Sequence, residues 1–260
     1  MAVKSSELQA LLLAAGQGKR LGMLPANIPK PLIEIAKGHS VLEYTLRSMS
    51  QAHLFDKVVV VTGYKHSAIR GLLEKLAAEV NFKLEHVVNH QYANRSVLYS
   101  VEVGLAAIRK GDILVMNGDT VFSPAIFGTV KKIMQAKGFP LAGVIGSMKS
   151  TPVDDDIKLQ LDDSRRILHV GKNLQSASAV SAGIVLVSDG LRIQYESRLR
   201  ELKDMRGVIH HSIIEALCAD GAPISFIEVP LRDWFEVDTV DDVRVLRRRF
   251  GNSKQIAERT

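Results

Sequence analysis

"LLLAAGQGKRLG", Leu11 to Gly22, sets an apolar run directly against a loop carrying three glycines and two cations. An uncharged apolar run of strand length is a strand buried on both faces, and such strands sit in sheets covered by helices on either side. The chain keeps that rhythm. QALLLAA (9–15), KVVVVTGY (57–64), KLEHVV (83–88) and DILVMNGD (112–119) read as strands, and segments of helical period begin near Ser40, His66 and Ser96 between them. Ser40 and Glu43 stand at capping-box spacing, and Pro124 after Ser123 marks another helix start. The fold class is α/β with a mostly parallel sheet.

The pattern changes after Leu141. LAGVIGSM (141–148), DIKLQLDD (156–163), RRILHVGK (165–172) and VSAGIVLVS (180–188) follow with little helix between them, the middle pair predicting a hairpin around Asp162-Asp163-Ser164. Two helices, a strand ending at WFEVD (234–238) and a terminal helix VDDVRVLRRRF (240–250) complete the order. No linker, low-complexity tract or repeat interrupts it, so residues 1–260 are expected to form one domain with a small antiparallel lobe.

Composition narrows the function. The 260 residues are 46% hydrophobic, enough for a large core, and the net charge of +6 sets 34 Lys and Arg against 28 Asp and Glu. With aromatics at only 5%, base stacking has little to work with, and the basic excess suits anionic small molecules better than nucleic acid. The single Cys218 excludes a disulfide framework and reads as a small helix residue. No apolar run approaches the ~20 residues of a membrane span, and the expectation is a soluble cytoplasmic protein.

Two familiar phosphate loops fail on the opening stretch. The glycines fall at 16, 18 and 22, one residue too late for a dinucleotide fingerprint, and MLPANIPKPL (23–32) has three prolines where that motif needs a helix. Gly18-Lys19 is followed by Arg20, not by the Ser or Thr of a P-loop. What remains is a long loop of free amides carrying the cations Lys19 and Arg20, with Leu13, Ala14, Ala15, Gly16 and Gly18 as the candidate nucleotide-binding residues. Lys30 follows, held between Pro29 and Pro31. Such amides can wrap a triphosphate, and such cations can neutralise charge at an attacked phosphorus. The other reading is a surface loop with solvated lysines.

LAAGQGKRLG followed by PKPL resembles the signature of the nucleotidyltransferases that make activated sugars and alcohols, G-x-G-[ST]-R-[LF] then P-K-[PA]-L. Lys19 replaces the usual Ser or Thr. The resemblance runs from Leu11 to Val245 and implies a Rossmann-like, GT-A-like fold, with a nucleotide-binding half (8–140), an acceptor-binding half (141–245) and a tail (246–260).

Nucleotidyl transfer crowds negative oxygens around phosphorus and usually needs Mg²⁺, held by one or two carboxylates. Asp119 ends a buried strand, where α/β folds bind ligands, and Glu236 and Asp238 share one face of a short strand. Asp119 reads alternatively as a turn residue and Asp238 as a helix cap. The resemblance implies that Asp119 and Asp238 hold the metal, that Arg20 and Lys30 are catalytic, and that Glu236 matches an acidic position of the cytidylyltransferase branch. Asp241 and Asp242 read as helix-start residues.

The middle of the chain is most similar to the phosphocholine, inositol-1-phosphate and 2-aminoethylphosphonate cytidylyltransferases. That likeness places Tyr64, Asn94 and Ser96 near the base and ribose, with helix capping as the alternative for the last two. Lys158 and Lys172 would face the acceptor's phosphate or phosphonate, beside Glu236. Ser181-Ala182-Gly183, where some relatives carry an acidic residue, speaks against an acceptor with a cationic amine such as phosphocholine. His210 and His211, adjacent on a helix, point about 100° apart and read as a surface or half-buried pair. Arg247–Arg249 read as a solvated face, or alternatively as a homodimer contact. The expected partners are CTP or another NTP and a small phosphorylated or phosphonate acceptor. The competing expectations are a sugar-1-phosphate uridylyl- or thymidylyltransferase and a non-catalytic nucleotide-sensing domain.

Overall fold

The computed structural model describes residues 8–18, 28–36, 38–136 and 141–250. The loop cations Lys19 and Arg20 lie outside them. In chain order the first half runs β1 (Leu8–Ala14), β2 (Glu34–Ala36), β3 (His39–Ser40), α1 (Val41–Gln51), β4 (Phe55–Thr62), α2 (His66–Leu76), β5 (Lys83–Val88), α3 (Val97–Leu105), β6 (Ile113–Asn117), β7 (Thr120–Phe122) and α4 (Pro124–Gln135). The second half runs β8 (Ala142–Met148), β9 (Lys158–Leu161), β10 (Ile167–Gly171), β11 (Ala179–Val187), α5 (Arg192–Leu202), α6 (His211–Ala219), β12 (Ile224–Glu228), β13 (Trp234–Glu236) and α7 (Val240–Phe250).

Among the described residues nine strands join in one mixed sheet, with β6, β1, β4 and β5 parallel at its centre and one side. Alternation along these strands divides the core. Ala10, Leu12, Val58, Val60, Leu114 and Met116 pack on Leu42 of α1, Ile69 of α2 and Phe127 of α4. Leu11, Val59, Val61, Ile113 and Val115 pack on Leu98 of α3, Tyr195 of α5 and Ile213 of α6. Both faces are covered, which is why these strands read as unbroken apolar runs; each buried Leu, Ile or Val contributes about 1.5–3 kcal/mol.

The antiparallel region continues the same sheet instead of standing apart. β11 pairs antiparallel with β6, β8 and β9, β10 closes the predicted hairpin on β9, and β12 adds parallel to β8. Two small antiparallel sheets, β2 with β3 and β7 with β13, lie off it. Half of the predicted capping box forms at α1. Ser40 Oγ accepts from the Glu43 amide at 3.3 Å, but the Glu43 carboxylate takes Arg47 Nε at 3.1 Å. No helix of the described residues is long and apolar enough to cross a membrane.

The histidine pair corrects the sequence reading. His210 and His211 are 3% and 0% exposed, their rings 4.1 Å apart at the start of α6. His211 Nε2 shares a 2.7 Å hydrogen bond with Ser181 Oγ of β11, which draws the helix start beneath the sheet. Burial lowers the His210 pKa to about 4 and holds His211 well below the usual histidine range, so both rings are neutral. Cys218 is half-buried, and burial, with Glu215 nearby, pushes its thiol up to about 12.

Candidate active site

The chain leaves β1 toward β4 on one side and reaches β6 on the other, so the carboxyl ends of β1 and β6 open a crevice at a switch in strand order. Leu13 is paired with Asn117, and the Gly118 amide donates to the Leu13 carbonyl at 3.0 Å. A Cβ at Gly118 would stand 2.8 Å from that carbonyl oxygen and 2.9 Å from Ala14 Cβ. Only glycine lets the two strand ends meet this closely, and the meeting sets Asp119 beside the loop after β1.

The remaining acids arrive from 117 residues further along, on the β7–β13 ribbon. Glu236 pairs with Thr120, and the Val237 amide donates to the Asp119 carbonyl at 3.0 Å. β13 ends at Glu236, so Asp238 lies just beyond the strand. It is not the helix cap. Thr239 and Asp242 cap α7 reciprocally: the Asp242 carboxylate accepts from the Thr239 amide at 2.7 Å and the Asp242 amide donates to Thr239 Oγ1 at 3.2 Å. Asp242 is the helix-start residue expected, and Asp238 is left facing Lys30.

Lys30 opens a 3-10 turn, Lys30–Leu32, whose neighbouring prolines fix its backbone. Its side chain is only 9% exposed, and Nζ lies 3.2 Å from Asp119 Oδ2 and 2.5 Å from Asp238 Oδ1. Burial alone would lower its pKa; the charge of Asp119 and the bond to Asp238 outweigh burial and raise it. Glu236 goes the other way. Burial and then the charges of Asp119 and Asp238 raise its carboxyl to about 7. Three carboxyl groups thus stand around the single Lys30 ammonium.

Asp119, Glu236 and Asp238 offer carboxylate oxygens within 4.8 Å of one another. Hard oxygen donors and close spacing fit a divalent ion such as Mg²⁺.

Asp119, Glu236 and Lys30 line a cleft of about 410 Å³, a size that accepts a nucleotide, and Asp238 reaches it through its contact with Lys30. Leu13, Ala14, Ala15, Gly16 and Gly18 line it, together with Lys30, Asp119, Glu236 and Ser96. Residues not predicted as site residues line it too, among them Tyr92, Arg95, Ser100 and Gly118. Asn89 explains the placement of the first two. Buried at the end of β5, it donates through Nδ2 to Ser100 Oγ at 2.9 Å and accepts the Gln91 amide at 2.8 Å, folding the 90–96 loop over the cleft. Ser100 was legible as the residue one turn beyond Ser96 on a helix.

Other expected site residues stand differently. Asn94 is exposed and outside the cleft lining. Ser96 borders the cleft and begins α3, but its hydroxyl donates to the Lys203 carbonyl at 2.5 Å, so it neither caps the helix nor points freely at a base. Tyr64 lies beside the wall, its amide donating to the Ala15 carbonyl at 3.0 Å. Lys158 is half-buried on β9, and Lys172 pairs with Asp155 at 3.4 Å while its charge still reaches Glu236.

The sequence over nearly its whole length is similar to curated proteins. It is 27% identical over 257 residues, 95% of this chain and 40% of the relative, to the CMP-5'-(3-aminopropyl)phosphonate synthase of Streptomyces rubellomurinus. It is 25% identical over 242 residues, 92% of this chain and 51% of the relative, to the bifunctional IPC transferase and DIPP synthase of Aquifex aeolicus. The chain thus spans about half or less of the length of these relatives. The inositol-1-phosphate CTP transferase of T. maritima shares the fold, with a TM-score of 0.70 at 17% identity over 95% of this chain and 98% of that one. The family model of the MobA-like NTP transferase domain matches residues 10–145, the segment that builds the β1 loop, the cleft and Asp119. This chain belongs to the MobA-like NTP transferase domain family.

Proposed function

We propose that the chain is a Mg²⁺-dependent cytidylyltransferase that joins CTP to a small phosphomonoester or phosphonate, giving a CMP-linked product and pyrophosphate. The observation that carries this reading is the convergence of Asp119, Glu236, Asp238 and Lys30 at the mouth of a cleft walled by the amides after β1. The similarity to a CMP-phosphonate synthase supports the choice of cytidine and of a phosphonate or phosphate acceptor.

An acceptor oxygen, anionic near neutral pH, attacks the α-phosphorus of CTP as the bond to the β-phosphate breaks. No general base is required, and catalysis rests on positioning and charge neutralisation. The loop amides of Ala15 to Gly18 bind the triphosphate, with Leu13 and Ala14 lining the cleft beside it. Lys30 bridges the α-phosphate and the acceptor, Arg20 clamps the departing phosphates, and Lys158 and Lys172 hold the acceptor's anionic group. Asp119 and Asp238, with Glu236 beside them, would hold Mg²⁺, which when bound neutralises charge on the phosphate oxygens.

Pyrophosphate release measured with each of four NTPs against a panel of phosphonates, small-alcohol phosphates and sugar 1-phosphates tests the reading. CTP with a small phosphonate or alcohol phosphate is the expected active pair. Activity confined to UTP or dTTP with a sugar 1-phosphate overturns it, as does NTP binding without turnover of any pair.

A further inference from the structure

Lys30 carries a buried ammonium to the place that the carboxylates prepare for a cation. The carboxylates it contacts, Asp119 through Oδ2 at 3.2 Å and Asp238 through Oδ1 at 2.5 Å, are two of the three that each bring an oxygen within 4.8 Å of the others. One ammonium and one metal ion cannot both occupy the centre of that trio. Moving the ammonium away without offering it a new anion leaves a charge unpaired in a largely buried position, which is costly. The same cleft supplies the alternative. Lys30 and the Gly16 and Gly18 backbone line one cavity, so a triphosphate held by the loop brings oxygens within reach of the displaced ammonium.

We infer that Lys30 is an exchangeable resident cation: it neutralises Asp119 and Asp238 in the nucleotide-free protein and yields to a divalent ion when triphosphate oxygens receive it. This rests on the nucleotidyl-transfer reading above and adds to it a coupling between metal and nucleotide that runs through one side chain. A divalent ion alone meets Lys30 as a competitor. A divalent ion arriving with the triphosphate does not, because the ammonium gains phosphate as it loses carboxylate. The coupling is reciprocal by linkage.

Mn²⁺ binding followed by electron paramagnetic resonance, with and without a non-hydrolysable α,β-methylene CTP analogue, tests this in the wild type, Lys30→Met and Lys30→Gln. Without nucleotide, both variants should bind Mn²⁺ on the order of tenfold more tightly than the wild type. The factor by which the analogue tightens Mn²⁺ binding should also be on the order of tenfold larger in the wild type than in either variant. The second comparison separates exchange from the mere loss of a nearby positive charge, which would strengthen metal binding equally in both conditions. Equal tightening in all three proteins overturns the exchange alone. Absence of Mn²⁺ binding in every protein and condition overturns the metal site and the exchange with it. The two variants differ in head group, and a thermal melt on each shows whether its titration reports a folded protein.

Discussion

Gly18 and Lys30 are in contact: a Cβ built on Gly18 would stand 2.8 Å from Lys30 Cγ, and the Gly18 backbone, at φ +64°, is left-handed. The glycine thus both turns the loop and leaves a channel for the lysine stem. Gly18→Ala should cost about 1 kcal/mol in stability from the backbone alone. By pushing the stem it should also lower kcat on the order of 100-fold. Thermal melts and steady-state kinetics separate the two effects, and unchanged kcat would show that Lys30's position does not matter to turnover.

Asp119 supplies a partly exposed carboxylate, 28% accessible, on a strand end held by backbone bonds. Asp119→Ala should therefore abolish turnover, by roughly 10³-fold or more, while the circular dichroism spectrum stays native. Normal activity in that variant at saturating Mg²⁺ would remove Asp119 from the site.

The histidine pair makes stability depend on acid. Each ring is neutral when folded and takes a proton once unfolded, at the ordinary histidine value of 6.5. The folded pKa lies below the unfolded one, so stability is complete above pH 6.5 and falls as pH drops toward 4. For His210 alone, with a folded value of about 4, the loss amounts to about 3 kcal/mol. Urea melts at pH 7.5, 6 and 5 measure it. His210→Phe should flatten the slope, since His210 Nε2 has no hydrogen-bond partner to lose.

Ser96 allows its two assignments to be separated. Its hydroxyl ties the start of α3 to the Lys203 carbonyl beyond α5. Ser96→Ala should cost about 1 kcal/mol of stability and leave the preference among NTPs unchanged. A switch in NTP preference would assign the hydroxyl to the base instead.

Trp234 is the sole tryptophan of the chain, two residues before Glu236, and its indole Nε1 donates to Ser147 Oγ at 2.9 Å. Metal or nucleotide binding should change its emission. A Mg²⁺ and CTP titration that leaves the fluorescence flat would show that β13 does not respond to ligands.

Much of the architecture was legible in the sequence because local rules agreed with the tertiary outcome. Leu11, Leu12 and Val58–Val61 read as parts of buried strands and are. Pro124 opens α4, and Asp162–Ser164 turns the hairpin, with Asp162 Oδ1 accepting the Ser164 and Arg166 amides. What remained hidden depended on partners distant in sequence. His211 lies 30 residues from Ser181, so no local pattern announces that the pair is buried. Lys30 reaches across 89 residues to Asp119 and 208 to Asp238. The family resemblance implied all three as site residues without indicating that the lysine sits on the carboxylates. The antiparallel strands looked like a separate lobe because their hairpin is local, whereas the pairing of β11 with β6 that joins them to the main sheet is not.

The β7–β13 ribbon has a consequence for how the site is made. Its three residue pairs hold Glu236 against Asp119, outside the nine-stranded sheet. Most of the cleft lining lies between residues 13 and 119, but the carboxylate set closes only where residues 234–238 zip onto β7. The groups that would cradle a nucleotide and the last two acids thus come from distant parts of the chain, and the short ribbon is the seam between them.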